Sequence, residues 1–191
     1  QRQLAQLLDL VAAAAPNAEE WSVEVNPDSV TPTVARQLRE TGVTRVSLGA
    51  QSFHEPTLRR LGRPYGPNTI FTAWDILRRH GPRRLSLDLM YGIPGLTHRA
   101  WEATLRQALA LDPEHISAYC LSLEPQTPLA QAMACGSRGP PPDTTCRRQY
   151  ERTHEILAEG GLFPYEISNF SRPDAACRHN LLYWSHGAYW A

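Results

Sequence analysis

The chain has 191 residues, enough for one sizeable core, and its 42% hydrophobic and 20% charged composition is that of an ordinary globular domain. Lys+Arg and Asp+Glu both number 19, so the formal net charge is zero. That balance gives no general hold on nucleic acid or an anionic membrane surface. No apolar run approaches the roughly 18 residues of a membrane span, and no secretory leader is visible.

Residues 1–15 read as a helix already in progress, and residues 189–191 stop without a terminal signal, so both ends read as cuts. Residues 21–25 alternate apolar and polar as a strand, broken by Asn26-Pro27-Asp28. Thr31-Pro32 supplies a cap and a first-turn proline for a helix reaching Gly42. Residues 43–50 predict a strand, residues 56–61 a short helix, and Asn68 caps a longer helix ended by Gly81. Its Ile70, Ala73, Trp74 and Leu77 share one face.

A strand over 85–90 follows, then a helix capped by Thr97 with Trp101, Leu105, Ala108 and Leu109 on one face. Residues 116–123 predict another strand, 136–142 a Gly/Pro-rich loop, and Asp143 opens a helix running to Gly160-Gly161. Residues 163–167 predict a last short strand. Strands alternating with helices indicate an α/β fold of parallel βα units.

In such folds the carboxyl ends of the strands share one rim, where ligands bind. Three predicted strands end in polar residues at that rim: Glu24, Gln51 and Asp88. A carboxylate suits ribose hydroxyls or an ammonium group, and an amide both donates and accepts. Arg63 adds a fork that fits a carboxylate. Taken singly, each of these equally serves to cap its own loop or to face solvent. Gly92 and Pro94 form a tight turn that also lets backbone approach a ligand. Cys120, Cys135, Cys146 and Cys177 contain no Cys-x-x-Cys or Cys-x3-Cys-x2-Cys pattern. They read as reduced thiols of a cytoplasmic protein.

Five blocks, in order and spacing, resemble one family: Glu24-Val25-Asn26-Pro27, Gly49-Ala50-Gln51-Ser52-Phe53, Leu61-Gly62-Arg63, Asp88-Leu89-Met90-Tyr91-Gly92-Ile93-Pro94-Gly95 and Tyr165-Glu166-Ile167-Ser168-Asn169-Phe170. These are the oxygen-independent coproporphyrinogen III oxidase-like radical S-adenosylmethionine proteins, and the likeness extends over nearly the whole chain. It implies a partial (β/α)6 barrel of which this chain holds strands three to six, over residues 1–161. Residues 162–191 would begin a C-terminal element. A [4Fe–4S] cluster would sit on a three-cysteine loop after the first strand, upstream of this chain, and Cys120 to Cys177 do not match its ligands.

The same resemblance assigns S-adenosylmethionine contacts. Glu24 would face the methionine amino group and Arg63 its carboxylate. Gln51 and Asp88 would hold the ribose hydroxyls, and Ser122 would lie near the adenosine. The radical chemistry belongs to the cofactor.

Cys177-Arg178-His179-Asn180-Leu181-Leu182-Tyr183-Trp184 contains His-Asn-x-x-Tyr-Trp. In the haem-chaperone branch of the family this motif resembles a haem-binding element. His179 would ligate haem iron, and Tyr183 and Trp184 would present flat apolar surface to the porphyrin. Without that resemblance the motif reads as a core histidine beside two buried aromatics. The implied partners are haem or porphyrin and a haem-acceptor protein. Two other readings remain open: an oxygen-independent coproporphyrinogen III dehydrogenase, and an unrelated βα-barrel fragment.

Overall fold

Helix starts in this chain are set by local chemistry. The computed structural model, which describes residues 2–127, 129–131 and 139–187, places α1 at Arg2–Ala14 and α2 at Pro32–Glu40. Thr31 Oγ1 accepts the Val34 N–H at 3.2 Å, and Pro32 sets the first turn. The short α3 spans Glu55–Arg60. In α4, Pro67–His80, the proline takes the first-turn position and Gly66 becomes the cap. The expected cap, Asn68, therefore lies inside the helix. α5, His98–Ala110, starts as expected, with Thr97 Oγ1 accepting the Ala100 N–H at 3.2 Å. α6 spans Asp143–Glu159 and α7 Arg178–Trp184. Cys135 and positions 136–138 of the expected loop lie outside the described residues.

The strands are β1 (Ser22–Val25), β2 (Arg45–Gln51), β3 (Arg84–Tyr91), β4 (His115–Cys120), β5 (Phe163–Pro164) and β6 (Asn169–Ser171). They form one open sheet in the order β1-β2-β3-β4-β6-β5. β1 to β4 run parallel, as a partial barrel requires. The far edge differs from the all-parallel expectation. The strand predicted over 163–167 stops at Pro164, which lacks a donor, and the chain turns back as β6. β6 pairs antiparallel with both β4 and β5. β4 also ends at Cys120 rather than at position 123. Its neighbour β3 stops at Tyr91, whose carbonyl accepts the Leu121 N–H at 2.9 Å, so nothing remains to pair further.

The two faces of the sheet are chemically opposite. Val46, Leu48, Ala50, Leu85, Leu87, Leu89 and Ile116 are fully buried and join one apolar cluster with Leu38, Ile70, Leu77, Trp101, Leu105, Ile156 and Leu157 from the helices. Alternation puts Arg45, Ser47, Ser86, Asp88, His115 and Ser117 on the other face. A parallel sheet covered by apolar layers on both sides would carry continuous apolar strands. These strands instead keep a polar face.

α6 also fixes the turn after β3. Gln149 Oε1 accepts the Gly92 N–H at 2.9 Å, and its Nε2 donates to Leu96 O at 3.1 Å. Trp101 Nε1 donates to Gln149 O and to Thr153 Oγ1. Gly92 has φ 69°, and a Cβ there would lie 2.8 Å from Cys120 Sγ. Among the described residues no helix is long and apolar enough to cross a membrane.

Candidate functional site

Two groups of polar side chains occupy the carboxyl halves of β1 to β4. In the first, exposed Glu24 stands in register with Ser47, and Asp88 in register with Ser117. Ser47 Oγ donates to Asp88 Oδ1 at 2.8 Å. Burial pushes the Asp88 carboxyl up to about 6; the hydrogen bonds from Ser47 and Ser117 oppose that rise, and the negative charge of Glu24 adds to it. Glu24 and Asp88, 64 positions apart by number (88 − 24), thus share one electrostatic environment.

The second group surrounds an irregularity in β2. Leu48 pairs with Leu87, but the next pair is Gln51 with Leu89, so β2 carries an extra residue. Gln51 pays for it with φ 63°, a left-handed conformation uncommon outside glycine. A Cβ on Gly49 would sit 3.2 Å from Gln51 Nε2 and 3.6 Å from Asn26 Oδ1. Arg63 Nη1 donates to Asn26 Oδ1 at 3.4 Å, and Tyr65 Oη donates to Gly49 O at 2.7 Å. Gly49 thus lies beside both the Gln51 amide and the Asn26 side-chain carbonyl that takes the Arg63 guanidinium.

Four of the five expected S-adenosylmethionine contacts fall into these two groups: Glu24 and Asp88 in one, Gln51 and Arg63 in the other. The two groups adjoin along the chain: Asn26 directly follows the end of β1, which carries Glu24, and Ser47, Gly49 and Gln51 lie along β2. Ser122 lies exposed beyond the end of β4, outside both. Asn26, Ser47, Tyr65 and Ser117 were not anticipated. The serines had a signal: each is a polar residue at an alternate position of an otherwise apolar strand. In the sequence Asn26 is a strand breaker and a member of the Glu24-Val25-Asn26-Pro27 block, without a contact of its own.

As a donor set the rim suits an amino acid joined to a ribose. Carboxylates accept from ammonium and hydroxyl groups, the guanidinium forks onto a carboxylate, and the absent Gly49 side chain leaves room beside the Gln51 amide. An iron–sulfur cluster has no such fit. Among the described residues no three His, Cys, Asp or Glu side chains gather where they could hold a metal ion. Cys120 and Cys146 both approach Gly92, whereas Cys177 lies at the opposite end of the sheet, its thiol donating to Glu20 Oε1 at 3.3 Å.

That opposite end is closed by ionic and hydrogen-bonded contacts. Arg45, 2% exposed, pairs with Glu20 Oε2 at 3.1 Å and donates to Ser86 Oγ, Ala175 O and Ala176 O. Burial works to raise the Glu20 carboxyl, but Arg45 and hydrogen bonds from Cys177 and Arg178 outweigh it and hold it below its ordinary value. Tyr165 Oη accepts from Cys177 N at 3.3 Å and Asn180 Nδ2 at 3.0 Å, and meets His115 Nε2 at 2.8 Å. Burial and Arg45 push the His115 imidazole down to about 3, so it is neutral. With two donors already on the tyrosine oxygen, Tyr165 gives its own proton to Nε2. The imidazole proton then sits on Nδ1, which is buried without a partner among the described residues.

These contacts hold the start of α7, which carries the His-Asn-x-x-Tyr-Trp motif. Asn180 turns inward to Tyr165, while His179, Tyr183 and Trp184 are exposed, the two aromatics at 41% and 53%. The His179 and Tyr183 rings meet edge to face at 4.8 Å. The motif is therefore not a buried aromatic core. It lies beside the amino ends of the strands, with Arg178 lining a cleft shared with Thr44, Arg83 and Arg84, at the far end of β2 from Gln51. Along β2, Arg45 and Gln51 are about 20 Å apart at the usual rise per strand residue, whereas Ser47, which holds Asp88, is two residues or about 7 Å from Arg45.

An open, mainly parallel sheet with apolar packing on its helical side and ligand-type polar groups at its carboxyl rim is the architecture of a barrel-derived ligand-binding protein. The chain belongs to the radical SAM superfamily, whose match covers residues 2–108. It is 36% identical over 192 residues to the haem chaperone HemW of Bacillus subtilis (strain 168), covering 99% of this chain and 51% of that protein. It is 38% identical over 187 residues to HemW of Escherichia coli (strain K12), covering 96% and 48%. The chain thus spans about half the length of the curated relatives it matches. Among solved structures, the radical SAM enzyme coproporphyrinogen III oxidase (HemN) of Escherichia coli superposes with a TM-score of 0.77 at 26% identity, over 91% of this chain and 40% of that one. Methylornithine synthase (PylB) shares the fold alone, with a TM-score of 0.67 at 14% identity.

Proposed function

We propose that this chain is the S-adenosylmethionine-gripping and haem-carrying half of a cytoplasmic radical SAM haem chaperone. Glu24, Arg63, Gln51 and Asp88 hold the amino, carboxylate and ribose groups of S-adenosylmethionine, with Ser122 at the adenosine edge. The [4Fe–4S] cluster takes its cysteines from outside this chain, and together the two cofactors supply the radical chemistry. His179 ligates haem iron, Tyr183 and Trp184 flank the porphyrin, and a haem-acceptor protein receives it.

The observation that carries this reading is the 36–38% identity along almost the whole chain with proteins named haem chaperones, against 26% with the oxidase. The geometry agrees with it. His179 is exposed with its tyrosine neighbour, and α7 stands at the end of the sheet remote from the rim. Haem held there is cargo at the amino end of the sheet, at the far end from Gln51 and Arg63. An oxygen-independent coproporphyrinogen III dehydrogenase would instead need its porphyrin beside the rim.

Haem titration of the full-length protein, followed by Soret absorbance, tests the assignment. The account expects stoichiometric binding that His179→Ala weakens at least tenfold, with a changed Soret maximum. Unchanged binding removes His179 as the ligand. Anaerobic turnover of coproporphyrinogen by the cluster-loaded protein would favour the dehydrogenase.

A further inference from the structure

A cleft of about 840 Å³ opens at the amino ends of β1 to β3, lined among others by Arg39, Arg83, Arg84, Arg178, Glu19 and Glu20. Its charges do not cancel. Glu20 is committed to Arg45, and Glu19 is paired with Arg178. Arg39, Arg83 and Arg84 have no ion-pair partner among the described residues. Three arginines from two chain segments, the end of α2 and the start of β3, thus line one cavity, none of them with a counter-charge among the described residues.

Arg178 also lines a second depression of about 530 Å³, together with Leu181, Leu182, Trp184 and Ser185. The cationic cleft and the side of α7 that carries Leu181, Leu182 and Trp184 therefore share a wall at Arg178, and His179 and Tyr183 stand on the adjoining side of the same helix. A flat apolar body bearing carboxylates at one edge matches that juxtaposition. Guanidinium forks are shaped for carboxylates, and the apolar side chains for a ring face.

We propose that the arginine cleft is the propionate-binding half of the haem site whose ring-binding half is α7. The inference rests on the haem reading above and specifies how the cargo is oriented: propionates toward Arg39, Arg83 and Arg84, ring against α7. It also gives the site a means of selecting carboxylated porphyrins over neutral ones.

The test uses the full-length protein and two probes, haem and haem dimethyl ester, titrated by Soret absorbance. The native protein should bind haem at least about tenfold more tightly than the ester, and about 0.5 M salt should narrow that gap. The triple substitution Arg39→Gln, Arg83→Gln and Arg84→Gln should lower haem affinity to the level of the ester and leave ester affinity unchanged. Retained ester binding also shows that the variant is folded, and the single exposed substitutions Arg39→Gln and Arg83→Gln should each give part of the loss. Equal native affinity for the two probes overturns the propionate assignment while leaving haem binding intact. So does full haem affinity in the triple variant with transfer to an apo-haem protein impaired, which would assign the cleft to the acceptor. Failure of the native protein to bind either probe overturns the haem reading itself.

Discussion

Replacing Asp88 with asparagine should make the protein more stable near neutral pH while weakening its hold on S-adenosylmethionine. Burial raises the Asp88 carboxyl from 3.8 to about 6. A group whose folded value lies above its unfolded one favours folding only while protonated. The protonated carboxyl costs nothing below the unfolded value. The cost appears as pH rises from about 4 to about 6 and is complete above that. A shift of about two units corresponds to at most about 3 kcal/mol, less whatever the residual exposure of the carboxyl relieves. The amide oxygen of Asp88→Asn still accepts from Ser47 Oγ, so the 2.8 Å contact survives. Urea unfolding of both proteins near pH 7 and near pH 3.5 measures the difference. The variant should have the higher midpoint near pH 7, and the advantage should shrink toward zero near pH 3.5. A gain of equal size at both values, or a loss near pH 7, would refute the reasoning.

Arg45→Met should destabilise the protein by about 3–5 kcal/mol in denaturant titrations, because it strands the nearly buried Glu20 carboxylate. A change below about 1 kcal/mol would mean that the pair is solvated. Nitrogen NMR of His115 should show the neutral Nδ1-protonated tautomer throughout the range from about pH 8 to 5, and a titration near the ordinary histidine value of about 6.5 contradicts it. Gly92→Ala should lower thermal stability, since it forces a side chain onto φ 69° and against Cys120 Sγ at 2.8 Å. The left-handed conformation alone accounts for about 1–2 kcal/mol.

Much of this architecture is written in local chemistry. Thr31-Pro32 and Thr97 announce helix starts, and the apolar alternation of β2 and β3 tells which face meets the helices. Glu24, Gln51 and Asp88 stand at strand ends where a shared rim is expected. What escapes the sequence depends on partners far along the chain. β4 stops at Cys120 because β3 stops at Tyr91, and no property of residues 121–123 encodes that. Nothing beside Arg45 in the sequence marks it as buried, because the carbonyls of Ala175 and Ala176 that surround it lie 130 and 131 positions away. The irregularity at Gly49–Ala50, which turns Gln51 to φ 63°, leaves no mark beyond one glycine. Pro164 did carry a legible warning, since a proline lacks the donor a continuing strand needs.

The most direct test of the shared rim is S-adenosylmethionine binding by the full-length, cluster-loaded protein, measured anaerobically by isothermal titration calorimetry. Glu24→Gln, Gln51→Ala, Arg63→Met and Asp88→Asn should each weaken binding about tenfold or more, equivalent to about 1.4 kcal/mol, while Arg39→Gln at the opposite end changes nothing. Native affinity in two or more of the four rim variants would contradict the claim that these strands grip one ligand.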